Sequence, residues 1–106
     1  MLSDSHCHVD FEVFDKDRNQ ILQNCLNKNI HRIIVPSIKS SNWDKTVSLC
    51  SELNSELNSK FTIHNSKLLY PALGLHPYFL SDHCENDIAL LKSYCDQGKV
   101  SIIGEI

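Results

Sequence analysis

Four short apolar runs of strand character alternate along this chain with three stretches of helical period, and that alternation restricts the fold more than any other feature. Leu2, Asp4, His6 and His8 share one parity while Ser3, Ser5 and Cys7 share the other, the period of a strand. This predicts a short strand over residues 2–8, ending in a loop near Asp10. Ile33, Ile34 and Val35 form an unbroken β-branched run stopped by Pro36, the mark of a strand buried on both faces of a parallel sheet. Leu68 to Leu75 reads as a third strand, in which Pro71 must stand at the beginning or at a ladder position that needs no N–H. Val100 to Ile106 reads as the fourth.

The intervening segments supply the crossovers. Between Asp15 and Asn29, Ile21, Leu22, Cys25 and Leu26 make one apolar stripe of an amphipathic helix. A second helix, capped by Ser40 or Ser41, places Trp43, Val47, Cys50, Leu53 and Leu57 at three- and four-residue steps. The third takes Ser81 as its N-cap, Cys84, Ile88, Leu91 and Cys95 along one face, and Gly98 just past its end. Residues 61–67 read as a short extended segment or an insertion. The order β-α-β-α-β-α-β implies right-handed crossovers and a parallel α/β sheet.

Composition excludes several classes. Hydrophobic residues make up 42% and charged residues 22% of the 106-residue chain, a globular balance rather than a disordered or membrane one. No basic start followed by an apolar stretch and no 18-residue apolar run occurs, so a cytoplasmic protein without a membrane partner is expected. A net charge of −3 provides no broad basic face for non-specific nucleic-acid binding; DNA, if a substrate, would be held locally. Five cysteines lack any C-x-x-C pair, which suits reduced core residues better than a disulfide framework or a zinc ribbon.

The chemistry concentrates in a few residues. His6 and His8, two apart on a strand, project from one face with bases roughly 6.5–7 Å apart, close enough to converge on one ion. Imidazole favours a transition metal, with Zn–N bonds of about 2.0–2.1 Å. Asp4 and Asp10 put carboxylates within reach, to orient an imidazole or to stabilise a turn. Glu105 follows Gly104 at the end of an apolar strand, the edge where parallel sheets bind ligands and where a buried carboxylate needs a cation. A carboxylate bridging two metals about 3.5–4 Å apart would fit that place. His76 lies just past the third strand, between Leu75 and Pro77, and could meet a substrate phosphate or oxyanion. His31, His64 and His83 read as surface or capping histidines. No G-x-S-x-G, Walker lysine or G-x-G-x-x-G motif is present, which leaves metal-activated water as the better nucleophile.

Asp4-Ser-His-Cys-His-Val-Asp10, Ala72-Leu-Gly-Leu-His-Pro77 and Ile103-Gly-Glu-Ile106 stand in the order and approximate spacing of the TatD family of metal-dependent deoxyribonucleases and related hydrolases. The Ile33–Pro36 run followed by the Trp43 helix also resembles that family, so the resemblance covers the whole chain. It implies a TIM (β/α)8 barrel with one or two divalent metal ions (Zn, Mg or Mn) at its C-terminal face, cleaving phosphoester bonds in DNA or a small phosphoester. By the same resemblance His6 and His8 would be metal ligands, Glu105 the carboxylate shared by the metals, His76 a substrate-contacting residue and Asp10 a motif-matched residue with no assigned ligand role.

A barrel of eight βα units needs about 250 residues, so residues 1–106 are expected to form the N-terminal portion of a single barrel, with four strands and three helices. The family's later histidines and late aspartate are absent, and this chain alone should bind metal weakly and hydrolyse little. An open half-barrel should also expose strand edges and apolar faces that favour self-association. Two alternatives remain open at this point: an amidohydrolase-like metalloenzyme acting on C–N bonds, or a non-catalytic metal- or partner-binding fragment.

Overall fold

The computed structural model describes residues 1–60 and 67–105. Four strands form one parallel sheet in sequence order: β1 (Leu2–Asp4), β2 (Ile30–Pro36), β3 (Leu69–Leu73) and β4 (Ile102–Ile103). Three helices connect them: α1 (Arg18–Asn27), α2 (Trp43–Lys60) and α3 (Glu85–Asp96). This is the expected β-α-β-α-β-α-β order. The expected segment at 61–67 and His64 fall largely outside the described residues.

The β-branched run of β2 explains the core. Ile33 and Val35 are buried against Leu22 of α1 and against Cys50, Leu53 and Leu57 of α2. A second cluster joins Trp43, Leu73, Tyr94 and Val100, tying α2 and α3 to the end of β3. Burial pushes the Cys50 thiol up to about 12, which keeps it an inert core residue. All five cysteines are free, as expected, although Cys84 is exposed rather than packed in the core.

Pro71 sits in the middle of β3 without breaking the sheet. Leu68 and Ala72 offer their carbonyls to β2, so Pro71, on the opposite parity, turns its nitrogen toward β4. Pairing with β4 begins only at Ala72, so no ladder bond is lost.

Several boundaries differ from the expectation, each for a local reason. Regular β1 stops at Asp4, because the Asp4 carboxylate takes the His6 N–H at 3.0 Å. Asp15 precedes α1, which begins at Arg18 after a 3-10 turn at Glu12–Phe14. Ser40 and Ser41 both lie inside a 3-10 turn, Ser40–Asn42, that leads into α2. Ser81 is likewise inside a 3-10 turn, Pro77–Asp82, and the N-cap of α3 is Cys84. On α3 the inward residues include Tyr94, while Ile88 is 61% exposed.

Candidate metal centre

Parallel strands deliver all four of their C-terminal ends to one edge of the sheet. At that edge β1 runs out to His6 and His8, β2 to Ser37, β3 to Gly74 and His76, and β4 to Glu105. His6 and His8 lie past regular β1 rather than within it. The segment still follows the sheet, because the Cys7 N–H donates to the Ile34 carbonyl at 3.0 Å. The expected meeting of the first and fourth strand exits is therefore present: ligand atoms of His6, His8 and Glu105 all lie within 4.8 Å of one another.

His8 is the best defined of the three. Its Nδ1 is 3.0 Å from the Pro36 carbonyl oxygen, and a carbonyl can only accept, so Nδ1 bears the proton. The Nε2 of a neutral His8 is then a bare lone pair, and it faces His6 Nε2 at 3.2 Å. Phe11 stacks on the other side of the ring, with centroids 4.7 Å apart. The imidazole is thus fixed in tautomer and in plane.

Glu105 completes the set from the far side. Its Oε1 is 2.8 Å from His76 Nε2. Its Oε2 is 3.2 Å from His6 Nε2, but without hydrogen-bond geometry: Oε2 is buried and has no hydrogen-bond partner. A buried carboxylate oxygen left unpaired beside two facing imidazole nitrogens is a costly arrangement. A divalent cation would satisfy all three groups at once, and two imidazoles with one carboxylate are a donor set for zinc or a similar ion. The residues present fit a metal.

The two remaining predicted residues occupy different places. His76 touches Glu105 and lies outside the three-residue cluster. Its Nδ1 accepts from the Tyr78 N–H at 3.0 Å. Asp10 is buried, 6% exposed, and its Oδ2 accepts from the Thr46 hydroxyl at 2.8 Å. That bond ties the loop after His8 to α2 instead of bringing Asp10 among the ligand atoms.

Three supporting residues escaped the sequence reading. Arg18 clamps the loop after His8: its Nε donates to the Val9 carbonyl at 2.7 Å and its Nη2 to the Phe11 carbonyl at 2.9 Å. Thr46 and Asn54 sit on the inward face of α2, each fully or nearly buried. Asn54 holds the start of β3, accepting from the Leu68 and Leu69 N–H groups and donating to the Leu69 carbonyl. The signal for both was a polar residue on the same helical stripe as Cys50, Leu53 and Leu57. No comparable signal marked Arg18.

Comparison with known proteins agrees with this architecture. The sequence model of the family described as TatD related DNase matches residues 3–106. The uncharacterized metal-dependent hydrolase YjjV of Escherichia coli (strain K12) is 31% identical over 105 residues, covering 97% of this chain and 36% of that protein. The uncharacterized metal-dependent hydrolase YabD of Bacillus subtilis (strain 168) is 26% identical over 106 residues, again 36% of its length. The crystal structure of YjjV, a TatD homolog, superposes with a TM-score of 0.73 at 30% identity, covering 99% of this chain and 36% of that one. The four parallel strands and their helices thus correspond to the N-terminal portion of a TIM barrel, and the chain spans about a third of the length of these relatives.

Proposed function

This chain belongs to the TatD related DNase family, a family of metal-dependent hydrolases, and from that premise we propose that the whole protein hydrolyses phosphoester bonds, with DNA as the foremost substrate. The observation that supports this reading is the convergence of His6, His8 and Glu105 within 4.8 Å at the sheet edge where such barrels place their sites. One or two divalent ions, Zn, Mg or Mn, would be held there by His6 Nε2, His8 Nε2 and Glu105 Oε2. A bound ion supplies Lewis-acid polarisation of a phosphoryl oxygen and lowers the pKa of water toward neutrality.

The chain's own residues have preparatory tasks in this reading. Pro36 and Phe11 hold His8 so that its lone pair faces the ion site. Arg18 and Asp10 fix the loop that follows it. His76 lines the site beside Glu105. No described helix is long and apolar enough to cross a membrane, and the reading sets the enzyme to work in the cytoplasm.

A second reading is hydrolysis of C–N bonds, because amidohydrolases use a similar His-x-His strand in the same barrel. The half-exposed Leu2 on β1 and Ile103 on β4, 59% and 53% exposed, make the outer strands of this sheet the place for pairing with further barrel segments or a second copy. A substrate panel decides between the phosphoester and the C–N readings. The whole protein, loaded with Mn, Mg or Zn, is assayed on DNA, nucleotides, phosphomonoesters and cyclic amides. Metal-dependent cleavage of the phosphoesters, lost in the His6→Ala/His8→Ala double variant, is the expected result. Turnover of the amides alone, or full activity in the double variant, overturns the proposal.

A further inference from the structure

We propose that His76 is a positioning residue, which holds Glu105 by one oxygen so that the other is presented to His6 and His8. The inference rests on the reading of His6, His8 and Glu105 as metal ligands. It replaces the substrate contact that the sequence suggests for His76 with a contact to a ligand.

His76 Nδ1 accepts from the Tyr78 N–H, so in the neutral ring the proton resides on Nε2. That protonated nitrogen is the one standing 2.8 Å from Glu105 Oε1. Both ring nitrogens are therefore engaged, and neither is free for a phosphate oxygen. Glu105 is in turn divided: Oε1 lies in close polar contact with His76 Nε2, while Oε2 is buried, without a hydrogen-bond partner, 3.2 Å from His6 Nε2. A carboxylate that rotated freely would offer either oxygen. His76 selects one.

The ring is itself held firmly. Pro77 follows it and opens the Pro77–Asp82 turn, the His76 N–H donates to the Ile38 carbonyl at 2.8 Å, and His83 Nε2 contacts the His76 carbonyl at 2.8 Å. The backbone is thus fixed from three directions and the Tyr78 N–H fixes the ring, as a residue that orients a ligand requires. Removing such a partner typically costs about 10–100-fold in metal affinity.

The test uses the whole protein and cobalt(II), followed by its visible absorption, with thermal melts as fold controls. His76→Phe keeps an aromatic ring and removes the donor; His76→Gln keeps an N–H near the position of Nε2. Phe should weaken cobalt binding by about 10–100-fold with little change in melting, and Gln should restore most of it. Nitrogen-15 shifts of the neutral ring in the apo protein should show His76 protonated on Nε2. Unchanged affinity in the Phe variant, or a proton on Nδ1, overturns the positioning role. Absence of cobalt binding by the wild type, or wild-type binding by the His6→Ala/His8→Ala variant, overturns the ligand reading instead, so the two failures are distinguishable.

Discussion

Gly74 and Glu105 approach so closely at the ends of β3 and β4 that a methyl group on Gly74 would stand 2.5 Å from the Glu105 nitrogen and 2.5 Å from the Gly104 carbonyl carbon. Real side chains essentially never come so near backbone atoms, and backbone cannot swing aside as a side-chain tip does. The glycine is thus part of the site although it has no ligand atom. Its carbonyl also accepts from Trp43 Nε1 at 3.1 Å, which anchors the same turn to α2.

Gly74→Ala should therefore displace Glu105 from His6 and His8. We expect divalent metal affinity to fall by about 10-fold or more, in the range of losses seen when a ligand's support is removed, while α1 and β2, remote from the substitution, keep their protection against hydrogen exchange. Isothermal titration of both proteins with zinc, alongside exchange measurements, checks this. Equal affinities would show that Glu105 tolerates the shift.

Arg18 predicts a different loss. Its guanidinium reaches three carbonyls, of Val9, Asp10 and Phe11, and the Asp15 carboxylate, the last at 2.7 Å, a set that a lysine ammonium cannot match. Arg18→Lys should loosen residues 9–11, and with them the Phe11 stack on His8. Faster amide exchange confined to that loop is the expected outcome, with a stability change of about 1–3 kcal/mol.

Asn54 is a matter of stability alone. Its side chain satisfies two N–H groups and one carbonyl at the start of β3, all of which Asn54→Leu would leave buried and unpaired. A loss of about 2–4 kcal/mol, read from the urea midpoint, is expected from the cost of unsatisfied groups. A change within about 0.5 kcal/mol would mean that the strand start does not depend on this residue.

Asp87 gives the fold a pH dependence. The Cys84 N–H, first, and the Ser40 hydroxyl hold its carboxyl below the ordinary value, and the Cys84 bond is 2.8 Å long. A lowered folded value contributes stability in full above the unfolded value of about 3.9 and loses it as pH falls through the folded value. The stability difference between wild type and Asp87→Asn should hold steady down to about pH 5 and close at lower pH. A gap that widens on acidification would contradict the sign.

The parallel α/β order was legible because period-two and period-3.6 apolar patterns are written directly in the residues, most clearly in Ile33–Pro36 and along α2. The candidate metal ligands were legible because His6, His8 and Glu105 stand in short motifs at strand exits. What stayed hidden depends on long-range hydrogen bonds. Asp4 ends β1 by capturing the His6 N–H, and Cys84 displaces Ser81 as the cap because residues 77–82 turn first as a 3-10 helix. The grip of Arg18 on backbone carbonyls has no periodic signature, since carbonyls are common to every residue. Nor could sequence show that Asp10 points to Thr46, because only the packing of α2 brings the two together.

In this account imidazoles leaving the first strand and a carboxylate leaving the fourth meet around a divalent cation. Crystals of the chain soaked in zinc and measured at the zinc absorption edge test it most directly. The account predicts an anomalous peak about 2.0–2.2 Å from His6 Nε2, His8 Nε2 and Glu105 Oε2. A peak that lacks any one of these three atoms, or zinc bound only elsewhere on the molecule, would contradict it.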